Sequence, residues 1–406
     1  MRKPLNFETP QHQLHGAPQA AVTAEVRSLT GLRGIAAVWV VLYHMIMRDP
    51  AGGILDAIIR RGYLAVDLFF VLSGFVMAMS YRRIFAQTFT LKVFAVFILR
   101  RLARIYPLYI FVLLLLFSRL LGVAVSGHSP MRALLENFFL NALLIQAWVG
   151  SPSILGASWS VSTEFAAYFL FPLLLMIVTA RSRAPMILAT ILAGASVLAV
   201  AYHPAVGAPG DRNGLLDVTS GTPLWPLLRC IAEFTLGLAS YRMAVERPLS
   251  GSSQEPTITL RTHLDGVIGA ALICITAIPA SDILFAALLP PLMIALSSQR
   301  GRLAAILSSR PAHTLGLWSY AIYLWHGALL FIMWHVEALL QARVGFNVAR
   351  AAGTIACWAV ILPISALSYR FIETPGRRLV RDFEKRFFPS EDTAVLESEA
   401  SGRTYL

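Results

Sequence analysis

Arg33 and His44 lie in one apolar stretch, residues 29–44, which reads LTGLRGIAAVWVVLYH. In a helix their separation is three turns plus about 20°, so both side chains face one side, about 16 Å apart along the axis. Ionisable groups within such a stretch are expensive to insert and are functional candidates by default. The plain alternative makes Arg33 an anchor at one surface and His44 an interfacial polar residue. A second stretch, AVDLFFVLSGF over residues 65–75, opens with Asp67. A third, ASWSVSTEF over residues 157–165, carries Ser160 and, about one turn into the stretch, Glu164. If Asp67 and Glu164 start their helices at the depth of His44, the three groups converge, and a carboxylate orients the imidazole for proton transfer. The bland readings are helix-start roles: Asp67 or Ser160 as caps, Glu164 stabilising its first turns through the dipole.

Basic residues offer a second kind of chemistry. Residues 100–109 read RRLARIYPLY, in which Arg101 and Arg104 are three apart and share a helical face. With Arg33 they form a set of guanidinium forks suited to phosphates, the alternative being a cluster that only sets topology. Further along, residues 318–326 read WSYAIYLWH. Tyr320, Tyr323 and Trp325 read as packing or interface aromatics, with Tyr323 kept as a secondary site candidate, whereas His326 sits well inside its stretch and is a functional candidate. Arg370 and Glu373 are one helical turn apart and are expected to pair.

These residues are carried by elements that only lipid can solvate. Of 406 residues, 57% are apolar and 14% charged, against roughly 45–50% and about 25% in soluble domains. The apolar residues fall in continuous runs of about 17–25, the length that crosses about 30 Å of hydrocarbon. Continuous rather than alternating runs predict helices, not a barrel. The expected fold is therefore an all-α polytopic membrane bundle of about ten transmembrane helices: 31–47, 63–80, 105–125, 160–180, 184–202, 224–243, 264–280, 282–299, 312–340 and 351–371. Residues 134–149 are apolar but short and interrupted by Glu136, Asn137 and Asn141. If they do not cross, nearly every Lys/Arg cluster falls on one face, as basic residues in short cytoplasmic loops should. The segment is thus expected to be re-entrant or interfacial on the outer side, with both termini cytoplasmic. The loop from Arg48 to Arg61 is the exception, partly balanced by Asp49 and Asp56.

The net charge of +12 belongs to span ends and anionic headgroups, so membrane lipid, not nucleic acid, is the expected partner. Cys230, Cys274 and Cys357 show no metal-ligand spacing and read as small packing residues. Residues 1–28 are expected to be a retained, disordered cytoplasmic tail, 29–373 the membrane domain, and 374–406 a poorly ordered cytoplasmic tail. No fixed-period repeat of the kind found in two-halved transporters is visible.

From Leu29 to Pro375 the chain resembles the acyltransferase 3 family of membrane acyltransferases, which includes O-antigen, exopolysaccharide and nodulation-factor acetylases and macrolide acylases. Five blocks carry the resemblance in family order: LTGLRGIAA with Arg33 and His44, DLFFVLSGF at Asp67, Arg101/Arg104 followed by IYP, WSVSTE at Glu164, and the closing RFIETP. It implies transfer of an acyl group, usually acetyl, from cytoplasmic acyl-CoA to a hydroxyl of a cell-surface glycan or related acceptor, with acyl-CoA as a substrate and no tightly bound cofactor. The residues matching Arg33 and His44 are then essential, and those matching Asp67, Arg101, Arg104 and Glu164 functionally important. His44, oriented by Asp67 or Glu164, is the expected base or transient acyl carrier, and the three arginines the donor-phosphate site. Thr30 stands where members commonly carry Asp, and the esterase-like domain that some members carry after the membrane part is not expected here. The rival reading is a transporter or flippase in which the same charges form a relay.

Overall fold

The computed structural model describes residues 25–47, 52–87, 89–126, 130–204, 212–218, 223–245, 258–278 and 280–387. The tails before residue 25 and after 387, and the charged residues Arg48, Asp49 and Arg247, lie outside them. The described residues form fourteen α-helices and no strand: α1 (Arg27–Ile46), α2 (Gly53–Arg60), α3 (Ala65–Gln87), α4 (Leu91–Val125), α5 (Met131–Ala142), α6 (Trp159–Val178), α7 (Ala184–Tyr202), α8 (Trp225–Val245), α9 (Ile258–Thr276), α10 (Asp282–Ser297), α11 (Arg302–Leu307), α12 (Arg310–Val344), α13 (Phe346–Ser368) and α14 (Thr374–Phe387). A π-helical turn, Tyr369–Glu373, joins the last two.

Contacts sort the helix ends into two sets. At one end, Ser28 at the start of α1 donates to Leu296 O at the end of α10 (2.9 Å). Asp265 in α9 accepts from the N–H of Ala304 in α11, and Arg100 in α4 pairs with Glu384 in α14 at 2.5 Å. Arg242 near the end of α8 donates to Val178 O at the end of α6. This is the basic face. At the far face, Arg61 meets Asp282 at the start of α10 (2.6 Å), His203 stacks on Trp225, and Arg350 in α13 reaches Met45 O in α1. Ten helices therefore run alternately between the faces: α1, α3, α4, α6 to α10, α12 and α13. They correspond to the ten expected spans.

Seven helical stretches, those containing α1, α3, α4, α6, α7, α12 and α13, meet the demands of a membrane span in length and apolarity. In α8 the charges of Arg229, Glu233 and Arg242 interrupt the run, and the apolar parts of α9 and α10 are shorter. The protein is an all-α, multi-pass membrane bundle. Apolar side chains left exposed on α7, among them Ile187, Leu188, Ile191 and Leu192, are the surface that lipid solvates. Helix α5 is 12 residues long, about 18 Å, too short to cross. It doubles back beside α4, with Phe138 against Phe117 (4.1 Å) and the carbonyls of Asn141 and Ala142 accepting from Tyr109 and Tyr106.

Two expectations need correction. Residues 374–387 are not loose: they form α14, anchored by Arg100–Glu384 and by Gly376 seated against Pro107. Arg370 does not pair with Glu373. The π turn carries about 4.4 residues rather than 3.6, so positions three apart no longer share a face; Glu373 pairs with Arg377 (2.8 Å), and Arg370 lies over the Phe371 ring. Cys230 and Cys357 are buried, whereas Cys274 is exposed.

Candidate functional site

The face of α1 that carries Arg33, Ala37, Val41 and His44 lies on α12. Ala37 and Val41 pack into a cluster with Ile322, Leu330 and Met333 of α12 and Cys357 and Ile361 of α13. Small residues make this approach possible: a Cβ on Gly34 would fall 2.5 Å from the Gly316 nitrogen, and one on Gly316 would fall 2.1 Å from Thr30 O. Arg33 is therefore held by α12, donating from Nε to Ser319 Oγ (3.0 Å) and from a terminal nitrogen to Gly316 O (3.1 Å). Three turns away, His44 meets His326 of α12, with ring centroids 4.9 Å apart. One helix thus links a guanidinium in the half nearer the basic face to an imidazole in the other half.

Arg33, Arg101, Arg104 and Glu164 line one cavity of about 120 Å³ between α1, α3, α4, α6 and α12. Arg101 sits against Met77 Sδ (3.2 Å) and over the rings of Tyr81 and Tyr168, and its buried Nε has no hydrogen-bond partner. Glu164 accepts a short hydrogen bond from Ser73 and another from Tyr168 (2.8 Å), so it faces the arginines. At the other end of the cavity Ser160 and Tyr323 share a 2.7 Å hydrogen bond, and Tyr323 also donates to Ala157 O (2.9 Å). His44 and His326 are not in the lining. They lie past Tyr323, whose ring is 5.6 Å from that of His326.

The three ionisable groups expected at one depth are separated. Asp67 is fully buried in a two-pronged ion pair with Arg229 of α8, at 2.9 Å to Nε and 2.6 Å to Nη2, with Glu233 3.9 Å from Arg229 Nε. Glu164 meets Ser73, six residues along α3 from Asp67, hence about 9 Å nearer the basic face. Neither carboxylate orients His44. Its Nδ1 instead bonds Val40 O at 2.9 Å. The mismatch has a physical source: α6 begins at Trp159, directly after the doubled-back α5 segment, so its start lies inside the bundle and not at the far surface.

Arg229 was not singled out from sequence, although the signal was present. Arg229 and Glu233 stand four apart in an otherwise apolar run, the pattern of a buried charge seeking a partner. Arg377 was likewise not singled out, yet its side chain is only 16% exposed, set against Glu373 and the Tyr369 ring. Position 30, where a carboxylate is usual in the resembled family, has a substitute nearby: Thr30 Oγ1 donates to Glu25 (2.8 Å), whose carboxylate also meets His313 Nε2 (2.9 Å). Among the described residues no group of three or more His, Cys, Asp or Glu side chains could hold a metal ion.

A profile described as an acyltransferase domain, Acyl_transf_3, matches residues 26–369. Peptidoglycan O-acetyltransferase OatA of Listeria monocytogenes is 25% identical over 376 residues, 87% of this chain and 56% of that protein. Acyltransferase MdmB of Streptomyces mycarofaciens is 28% identical over 390 residues, 87% of this chain and 92% of that protein. Putative peptidoglycan O-acetyltransferase YrhL of Bacillus subtilis is 27% identical over 398 residues, 89% and 57% respectively. The chain thus spans little more than half the length of two of these relatives. No solved structure matches it.

Proposed function

The chain belongs to the acyltransferase 3 family, and from that premise we propose that it is a membrane O-acyltransferase moving an acyl group, in the first instance acetyl, from cytoplasmic acyl-CoA to a hydroxyl of a cell-surface glycan. The observation that carries this reading is the single α1 face shared by Arg33 and His44. Arg33 joins Arg101 and Arg104 in a cavity in the half nearer the basic face, and His44 lies past its inner end. In this reading the basic face is cytoplasmic, as the distribution of Lys and Arg favours. The arginines hold the donor's phosphates through forked hydrogen bonds. A cavity of about 120 Å³ is too small for a nucleotide, whose place is at the mouth, but it suits the thin arm and the thioester. Passage to His44 then requires the Tyr323 ring to move.

The chemistry needs a base, because a hydroxyl is a poor nucleophile until its proton is taken. His44 Nε2 takes that proton as the oxygen bonds the acyl carbon; the C–S bond breaks, its electron pair goes to sulfur, and the proton passes to the thiolate. In the covalent variant His44 attacks first and carries the acyl group to the hydroxyl. The named activity of OatA and YrhL supports a glycan acceptor, peptidoglycan being the first to try.

The test is purified protein in nanodiscs given radiolabelled acetyl-CoA and peptidoglycan fragments. CoA release and labelled glycan that vanish in His44→Ala are expected. Passage of the glycan across proteoliposomes without acyl chemistry would replace this reading with a transporter.

A further inference from the structure

Each ring of the His44/His326 pair directs Nδ1 at a backbone carbonyl of its own helix: Val40 O at 2.9 Å for His44 and Tyr323 O at 2.5 Å for His326. A carbonyl only accepts, so each neutral ring carries its proton on Nδ1 and presents a bare lone pair on Nε2. Among the described residues no hydrogen bond reaches either Nε2. Two neighbouring imidazoles, with centroids 4.9 Å apart and planes tilted by 50°, are thus both acceptors. They cannot satisfy one another. His326 is 1% exposed, so a donor that reaches its Nε2 must enter the bundle. What such lone pairs lack is a donor, and one O–H or N–H group entering beside the rings supplies a proton to one of them, with the other close by to receive it in turn.

We propose that the two Nε2 atoms together form the receptor for the acceptor hydroxyl, with His326, and not a carboxylate, supporting His44; this rests on the reading of His44 as the acyl-transfer base. The hydroxyl docks by donating toward the pair. When its proton moves to His44 Nε2 as the C–O bond forms, the new N–H finds an acceptor in His326 Nε2. The positive charge is shared by two rings until the proton passes to the departing thiolate. No other co-reactant enters. Tyr323 supplies both the carbonyl that fixes the His326 tautomer and the hydroxyl that closes the donor cavity, so the two substrates meet at one turn of α12.

Two substitutions of His326 separate this role from a structural one. Asn keeps an N–H near the Nδ1 position and lacks anything at Nε2; Gln reaches the Nε2 position with an accepting oxygen. With acetyl-CoA as donor and a β-1,4-linked N-acetylglucosamine oligomer as acceptor, His326→Asn is expected to lower kcat about a hundredfold, the usual scale of one acid–base partner, with KM for acetyl-CoA unchanged. His326→Gln should keep kcat within about tenfold of the parent on the same scale. Equal activity of the two variants, or a better His326→Asn, overturns the proposal. If the unsubstituted protein releases no CoA, the acyltransferase reading fails instead. A second measurement is then decisive without turnover: nitrogen NMR of histidine-labelled protein, assigned with His44→Gln and His326→Gln, must show both rings as Nδ1–H tautomers. An Nε2–H tautomer on either ring overturns the proposal.

Discussion

Asp67 is gripped by Arg229 through both carboxylate oxygens, at 2.9 and 2.6 Å, with 0% and 1% of the two side chains exposed. Breaking such a pair by removing one partner leaves a bare charge in the bundle, a loss of about 3–5 kcal/mol, whereas replacing both with apolar groups is often neutral. Asp67→Ala and Arg229→Leu should each lower the thermal midpoint in detergent, and because Glu233 also stands 3.9 Å from Arg229, the triple substitution with Glu233→Leu should recover most of the loss. If Asp67→Ala abolishes acyl transfer at unchanged midpoint, the pair has a chemical role beyond holding α3 to α8.

At Arg101 and Arg104 the shape of the guanidinium should matter more than its charge. Lys keeps the charge and loses the fork. Losing one charge-assisted hydrogen bond costs about 1.5–3 kcal/mol, or roughly ten- to a hundredfold in affinity. Arg101→Lys and Arg104→Lys should therefore raise KM for acetyl-CoA by that factor with kcat little changed. The readout is initial rates of CoA release across donor concentration; a fall in kcat at constant KM contradicts a donor-binding role.

The α3–α8 contact is set by two glycines facing each other's backbone. A Cβ on Gly74 would stand 2.0 Å from Phe234 O, and one on Gly237 2.0 Å from Val71 O. Neither neighbour is a flexible tip that can swing away. Gly74→Ala should force the helices apart, costing at least the 1–3 kcal/mol typical of overpacking, and should also unseat Ser73 from Glu164. Size-exclusion profile and thermal midpoint of the purified variant check this; an unchanged midpoint would mean that the helices separate without cost.

Helix number and the common face of Arg33 and His44 were legible because each rests on a short-range rule: the length of an apolar run in one case, 100° per residue in the other. The Lys/Arg distribution also argued against a crossing by residues 134–149, in keeping with the 12-residue α5. Depth across helices was not legible. Asp67 and Glu164 each stand near the start of a run, but α6 starts inside the bundle because the chain dips before it. The partner of Asp67 lay 162 residues away in a run scored as merely apolar. His326 could be nominated by its position, but not matched to His44, because nothing in either run encodes which helix faces which.

Helix α5 lets the orientation proposed above be read directly. With ten crossings and a doubled-back α5, a label site on α5 and one on α11 face opposite sides; an eleventh crossing by α5 would alter that relation. Glu136 on α5 is 61% exposed, paired only with the still more exposed Arg132, so its replacement costs little. Arg302 opens α11 on the basic face. In a background with Cys230, Cys274 and Cys357 replaced by Ala or Ser, Glu136→Cys should react with an impermeant maleimide added to intact spheroplasts, and Arg302→Cys only after lysis. Labelling of both from outside would break the opposite-side relation and contradict the doubled-back α5, whereas labelling of Arg302→Cys alone would reverse the orientation and put the arginine cavity out of reach of cytoplasmic acyl-CoA.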